Sequence, residues 1–221
     1  TASGSAVARL SQLLSFSVRR VFILLCALYM SAQVVGYLAM GLRVTDTSWV
    51  LVSVAVGQIA LPMWAGLRVQ PERVPEVFRD AGAVLVVAVA LPFGLLAAVA
   101  PEVMRIVFGE QWLPAAPIVA VTAACVPLQA IRLLLQSLIT ASGRPGLNVQ
   151  AGAVELITLV LSIHLLKTSG LMGAAYAWLA REALVCLWLS LQLGKLETLP
   201  ASAPWKAAAP GLAAMSVMLI A

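Results

Sequence analysis

The segment from Leu113 to Ala141 is apolar over more than the length needed to cross a bilayer, yet it carries Arg132 in its interior. At helical spacing, its polar side chains share one face and its large aliphatic side chains cover the others. The polar face consists of Thr122, Cys125, Gln129, Arg132, Gln136 and Thr140. An isolated charge at bilayer depth costs roughly 3 kcal/mol on insertion scales, so this arginine is expected to face water or a partner rather than lipid. The segment therefore predicts a membrane helix whose polar stripe faces an interior.

The composition supports a membrane protein for the whole chain. Hydrophobic residues make up 62% of the 221 residues and charged residues only 10%, whereas about a quarter of a typical soluble domain is charged. Several apolar runs reach the roughly 20 residues that a helix needs to span the hydrocarbon. We therefore expect an all-α fold, a polytopic transmembrane helical bundle with about six complete helices plus the start of a seventh.

Several function classes find no support. The net charge of +5 is spread over short connections without a basic run, so no nucleic-acid partner is expected. Cys26, Cys125 and Cys186 stand singly and His164 is the only histidine, so neither a disulfide framework nor a metal site is expected. The common motifs of hydrolases, metalloproteases and nucleotide-binding enzymes are also missing. The chain is expected not to be an enzyme and to need no cofactor.

The first third of the chain allows two interpretations. Hydropathy alone favours helices over 21–42 and 48–67, separated by a polar segment. The alternative begins a first helix near Ala6 and ends it near Tyr29, followed by one long helix from about Gly36 to Leu67. The alternative places Arg19 and Arg20 at membrane depth, whereas the first interpretation puts them at a helix end. The residues alone leave both interpretations open, and we favour the alternative only because of a resemblance of the chain to a known family.

The rest of the chain gives a simpler pattern. We expect a first helix over 1–30, a second over 31–67, a cytoplasmic loop over 68–80 and the remaining bundle helices over 81–221, the last of them truncated. The expected helices after the loop are 81–100, 113–141, 147–166, 171–193 and one that begins near Ala207. Because the chain starts without an initiator and stops within an apolar run, we expect it to be a piece of a longer protein.

The distribution of lysine and arginine predicts the orientation of the bundle. If the first helix enters from the cytoplasm, seven basic residues fall on the cytoplasmic side and only two on the opposite side. The cytoplasmic set is Arg9, Arg68, Arg73, Arg79, Arg144, Lys195 and Lys206, and the opposite set is Arg105 and Lys167.

Ionisable residues at membrane depth are the candidates for function. They are Arg19, Arg20, Arg43, Asp46, Arg132, Glu155, Arg181 and Glu182. Such groups on several helices are typical of a water-filled, charged cavity. The alternative for Arg132 is an ion pair with Glu155 that serves packing alone. Since adjacent residues point about 100° apart on a helix, Arg181 and Glu182 are not expected to face one cavity centre together.

Short motifs follow one another along the chain in a distinctive order. They are Arg20, Gly36-Tyr37, Arg43, Gln58 to Pro62, Leu91 to Leu95, Val107 to Trp112, Ser142 to Pro145 and Gly170 to Ala175. In this order they resemble the lipid-linked oligosaccharide flippases, polysaccharide transporters of the multidrug/oligosaccharidyl-lipid/polysaccharide exporter superfamily. The similarity covers essentially the whole chain, and its most specific part is the Phe-Gly-x-x-Trp element followed by the Gly-Arg-Pro turn.

The resemblance implies a fold of two pseudo-symmetric bundles, of which this chain would supply the helices from the family's seventh into its thirteenth. The missing N-terminal bundle of the same chain is then the main partner. The implied substrate is an undecaprenyl-pyrophosphate-linked oligosaccharide that moves from the cytoplasmic to the outer leaflet of the bacterial inner membrane. Other implied partners are membrane lipids and other polysaccharide-assembly proteins.

The resemblance also implies roles for particular residues. The expected substrate-binding residues are Arg20, Arg132, Arg181, Arg43, Gln129 and Gln136, and the expected members of structural ion pairs are Glu155 and Glu182. Arginine suits an anionic headgroup because its fork donates two hydrogen bonds to phosphate oxygens. The family has an aspartate before the arginine of its seventh helix, where this chain has Arg19 before Arg20, so the resemblance leaves the coupling ion open.

Other functions are compatible with the same sequence. One is an exporter of peptidoglycan precursors or drugs from the same superfamily, although drug exporters would favour acidic residues in the cavity. Another is a membrane scaffold of a polysaccharide assembly complex, in which the buried charges only pair with one another. A membrane-embedded glycosyltransferase would need a larger loop than this chain has.

Overall fold

The computed structural model describes residues 17–196 and 198–220, without the side chains of 68, 167 and 216–220. Every regular element in these residues is helical. The α-helices are α1 (17–29), α2 (Ala32–Gly66), α3 (Val74–Ala98), α4 (Ala100–Val103), α5 (Ala116–Ala124), α6 (Val126–Ala141), α7 (Gly146–Leu166), α8 (Gly170–Lys195) and α9 (Ala203–Ile220). Five helical segments among the described residues are long and apolar enough to cross a membrane. The protein is thus a polytopic helical bundle, with several helices that can span a membrane.

The first third follows the second of the two interpretations where the structure describes it. Helix α1 ends at residue 29, and the expected start near Ala6 lies outside the described residues. Ser31 caps α2, and its hydroxyl accepts a hydrogen bond from the amide of Val34. Helix α2 then runs unbroken through the polar segment near residue 45, where the Thr47 hydroxyl donates to the carbonyl of Arg43 at 2.8 Å. Such bonds satisfy polar side chains within the helix itself.

The polar connection before α3 is shorter than the sequence suggests. Two 3₁₀ turns, Leu67–Val69 and Pro71–Arg73, lead directly into α3 at Val74. Pro75 and Glu76 lie in the first turn of α3. Both residue types favour a helix start, because proline has no amide to leave unpaired there and the carboxylate faces the positive end of the helix dipole.

The span that carries Arg132 is one segment of three pieces, where the sequence predicts a single helix. A 3₁₀ turn over Glu110–Ala115 leads into α5, and α6 begins after a break at Cys125. Pro127 lies in the first turn of α6 and cannot donate a backbone hydrogen bond to the preceding turn. The proline therefore explains why the two helices are separate.

Helix packing concentrates on three sets of neighbours. Helix α3 packs against α9, α7 packs against α8, and α2 packs against both α5 and α6. Gly41 of α2 lies so close to Ile118 of α5 that an added Cβ would come within 2.6 Å of the Ile118 Cγ2. The core contains α6, whose buried residues include Leu135 and Ile139. The apolar face of α6 is therefore the side held inside the bundle, and its polar stripe runs from the buried Gln129 to the exposed Thr140.

Candidate functional site

Four ionisable side chains form a buried charge cluster between α6, α7 and α8. We define this charge cluster as Arg132, Glu155, Arg181 and Glu182. The Nη1 of Arg132 donates to Oε1 of Glu155 at 2.9 Å, and its Nε lies 2.9 Å from Oε1 of Glu182. Arg181 donates through Nη1 to Glu155 and through Nη2 to Oε2 of Glu182, the latter at 2.6 Å. Each arginine therefore contacts both carboxylates.

The cluster is neutral and largely shielded from its surroundings. The side chains of Glu182, Arg181 and Glu155 are 0%, 3% and 5% exposed, and that of Arg132 is 20% exposed. Two positive and two negative charges compensate one another where an unpaired charge would be costly. The arrangement ties three helices together, and only the Arg132 edge reaches the surface.

Adjacent Arg181 and Glu182 both take part in ion pairs of the charge cluster. Their Cα–Cβ directions differ by about 100°, but both side chains are long enough to turn back and meet at 2.6 Å. The guanidinium of Arg181 also lies 3.8 Å from the ring centre of Trp178, one turn earlier on α8. This cation–π contact adds a further partner to a desolvated cation.

The polar stripes of α6 and α7 also meet outside the cluster. The side-chain amide of Asn148 donates to the backbone carbonyl of Gln136 at 3.2 Å and to the Thr140 hydroxyl at 2.9 Å. Gln129 is buried and Gln136 is half-buried. On α5, the Thr122 hydroxyl lies 2.7 Å from that of Thr45 on α2. Three of the six side chains on the polar face predicted around Arg132 therefore join helices to one another, namely Thr122, Arg132 and Thr140.

A second charged pair joins α1 to α2. Arg19 of α1 forms an ion pair with Asp46 of α2, and both side chains are partly exposed. Arg20, the next residue, is exposed and has no ion-pair partner among the described residues. The Arg19–Asp46 ion pair places these two residues at the same height of the bundle. Arg20 follows Arg19 directly, and Arg43 precedes Asp46 by about one turn. Arg20 and Arg43 therefore also lie at about the same height.

Arg43 lies in an open groove between α2 and the π-helical turn over Met104–Phe108. The lining residues are Met40, Arg43, Val44, Thr47, Ser48 and Phe108, and the groove holds about 490 Å³. The Arg43 side chain is exposed, and within the described part of the chain it forms no ion pair. We call this feature the Arg43 groove. It combines one available guanidinium with two hydroxyls and an apolar wall.

The comparison with protein families matches the N-terminal part of the chain. A family described as "polysaccharide biosynthesis protein" matches residues 3–117, more than half of the 221 residues. The chain belongs to this family. No curated protein and no solved structure matches it. It is thus a polysaccharide biosynthesis protein whose helices include several that are long and apolar enough to cross a membrane.

The matched segment separates the two groups of predicted site residues. In this polysaccharide biosynthesis protein, Arg20 and Arg43 lie within residues 3–117, whereas all four members of the charge cluster lie beyond them. Gln129 and Gln136 also lie beyond the matched segment. The family match therefore covers the two exposed arginines and not the cluster.

Two contributions to the site were missed in the sequence of this polysaccharide biosynthesis protein. Trp178 contacts Arg181 at a spacing of three residues, which places two side chains on the same helix face and could have indicated the contact. The hydroxyl pair of Thr45 and Thr122 joins two helices that are distant in sequence. No local pattern indicates such a pair.

Proposed function

We propose that this polysaccharide biosynthesis protein is a transporter that flips an undecaprenyl-pyrophosphate-linked oligosaccharide from the cytoplasmic to the outer leaflet. The transport involves no covalent chemistry of the protein. The chain supplies one helical bundle, and a second bundle faces it across a water-filled chamber. The site of action is the bacterial inner membrane.

The observation that carries this proposal is the exposed guanidinium of Arg43 within a 35-residue apolar helix. An arginine at membrane depth without a carboxylate partner needs water or an anion beside it. A pyrophosphate headgroup provides that anion, and a guanidinium can donate two hydrogen bonds to its oxygens. Arg20 lies at the same height on α1 and adds a second positive charge for the same headgroup.

The charge cluster has a different role in this proposal. Arg132 and Arg181 each contact two carboxylates, so binding a substrate anion there would require ion pairs to break. We therefore assign the cluster to holding α6, α7 and α8 together as one rigid unit. Rigid units that rock against each other are the usual basis of alternating access in transporters. The partly exposed edge of Arg132 can still make a weak contact with the substrate.

The glycan and the lipid tail take separate places. The headgroup binds at the Arg43 groove, where Thr47 and Ser48 also line the wall. The sugars extend toward the water-filled chamber, and the half-buried Gln136 is the predicted hydrogen-bond donor to them, whereas Gln129 is buried. The lipid tail stays in the bilayer. Its movement between the leaflets costs little free energy, because the tail remains surrounded by hydrocarbon throughout.

Export of the glycan by cells that carry variants of the full-length protein tests this assignment. We expect Arg43→Ala to abolish most export, and Arg43→Lys to restore it only in part, because lysine keeps the charge but lacks the planar fork. Arg73→Ala is the matched control, since Arg73 is exposed and its side chain hydrogen-bonds only to Gln70 among the described residues. Normal export by Arg43→Ala at normal protein levels would contradict the assignment.

A scaffold subunit of a polysaccharide assembly complex is the second candidate. The neutral charge cluster favours it, because the buried charges pair with one another and need no substrate. The two candidates differ at Arg43. In a scaffold, Arg43→Ala leaves export unchanged while Glu155→Gln lowers it through reduced protein stability. In a transporter, Arg43→Ala lowers export with the protein level unchanged.

A further inference from the structure

A second groove lies between α2 and α3, on the side of α2 away from the Arg43 groove. Its walls include Val56, Ile59 and Met63 of α2 and Ala81 and Val84 of α3, with Leu134 of α6 as part of its floor. It holds about 460 Å³, and the only ionisable residue among the described residues that line it is Asp80. We call this feature the lipid groove.

The lipid groove begins at one end of the two helices and runs toward the middle of the span. Met63 lies three residues before the end of α2, and Asp80 lies six residues after the start of α3. At 1.5 Å per residue, the part of α3 from Ala81 to its end at Ala98 extends about 27 Å, which nearly covers the roughly 30 Å hydrocarbon. Asp80 therefore fits at the headgroup level, and Val56 and Val84 fit deeper in the hydrocarbon.

Asp80 lies at the mouth of the lipid groove, and the adjacent Arg79, which lines a neighbouring groove beside α9, forms an ion pair with it. The Arg79 Nε donates to the Asp80 Oδ1 at 3.0 Å, and the two side chains are 57% and 63% exposed. This bond uses one nitrogen and one oxygen. Among the described residues, Oδ2 of Asp80 and the Nη groups of Arg79 remain available to a ligand. A headgroup that carries both a phosphate and a primary ammonium complements this pair.

We propose that the lipid groove binds one acyl chain of an amine-bearing zwitterionic phospholipid, with its ammonium on Asp80 and its phosphate on Arg79. An anionic lipid would bring its negative charge next to the Asp80 carboxylate, which is unfavourable. A quaternary ammonium headgroup has no N–H to donate to Oδ2. The site is thus distinct in place and in charge from the Arg43 groove, and it does not depend on the proposed transport function.

Native mass spectrometry of the purified full-length protein tests this proposal. The probes are phosphatidylethanolamine, phosphatidylcholine and phosphatidylglycerol with identical acyl chains, each added at the same concentration. We expect phosphatidylethanolamine to be retained about threefold more than either of the others, because one exposed ion pair contributes binding free energy of about that size. Asp80→Asn should remove this preference, while Glu102→Gln, which neutralises an exposed carboxylate outside the groove, should keep it.

A second variant tests the apolar part of the groove separately from the headgroup. Ala81→Phe should fill the groove and lower the retention of all three lipids, whereas Ala98→Phe, on the same helix but outside the groove, should not. Equal retention of the three lipids, preference for phosphatidylglycerol, or no effect of Asp80→Asn would overturn the proposal. So would an unchanged retention of lipid by Ala81→Phe.

Discussion

Arg132 on α6 donates a 2.9 Å hydrogen bond to Glu155 on α7, and the same carboxylate oxygen also accepts from Arg181 on α8. One oxygen thus connects three consecutive helices. The fourth member, Glu182, balances the second positive charge. An intramembrane arginine is often taken as a substrate contact, but here the geometry first explains how the bundle is held together.

Neutralising Glu155 should destabilise the bundle. In Glu155→Gln, Arg132 and Arg181 keep only Glu182 as a negative partner, so the buried cluster gains a net positive charge. Breaking a buried pair on one side costs about 3 to 5 kcal/mol. The measurement is the free energy of unfolding in mixed micelles, with Glu102→Gln as the exposed control. An equal and small effect of both variants would show that the cluster does not stabilise the fold.

The close approach of α2 and α5 predicts an effect of a single methyl group. In Gly41→Ala, the new Cβ would lie 2.6 Å from Ile118 Cγ2 and 2.8 Å from its Cβ, so the helices must separate. Overpacking of this kind costs about 1 to 3 kcal/mol. Gly57→Ala is the matched control in the same helix, because nothing lies within 4 Å of its added Cβ.

The same free energy of unfolding checks the glycine pair. We expect a clear loss for Gly41→Ala and none for Gly57→Ala, since alanine is the better helix former. Equal stability of the two variants would mean that α2 and α5 are further apart than the structure has them.

The hydroxyl bond between α2 and α5 should contribute little. Thr45 and Thr122 are joined at 2.7 Å, and Thr122 also donates within its own helix to the Ile118 carbonyl at 2.7 Å. Interhelical hydrogen bonds in membranes average about 0.6 kcal/mol, so Thr45→Val should lower the free energy of unfolding by about that amount. Thr47→Val removes only a hydroxyl bonded within α2 and should have no effect. A loss above 2 kcal/mol, about the upper end of such bonds, would contradict this view.

Much of the fold follows from the order of apolar and polar residues. The helix over Gly146–Leu166 begins and ends within one residue of the range expected from the sequence, because a glycine-proline turn and a polar turn bound it. The long α2 was the harder case. Its polar middle suggests a loop by hydropathy, and only bonds such as that from Thr47 to Arg43 show how the helix continues.

The candidate site was less accessible to sequence reasoning. The polar stripe around Arg132 could be read from helical periodicity, but its partners lie on helices whose relative rotation depends on packing. Arg181 and Glu182 illustrate the limit, since backbone direction separates them and side-chain length brings them together. The break at Cys125 could have been found, because Pro127 lies two residues later.

The central claim is that Arg43 faces water while the opposite face of α2 meets lipid. Thiol labelling tests it most directly, since a cysteine reacts as its thiolate, which forms readily only in water. In full-length protein in which the buried Cys26, Cys125 and Cys186 are replaced by alanine, Arg43→Cys should react much faster with a membrane-impermeant maleimide than Ile59→Cys. Ile59 lies about 160° around α2 from Arg43 and lines the lipid groove. Equally slow labelling of both cysteines would contradict the account.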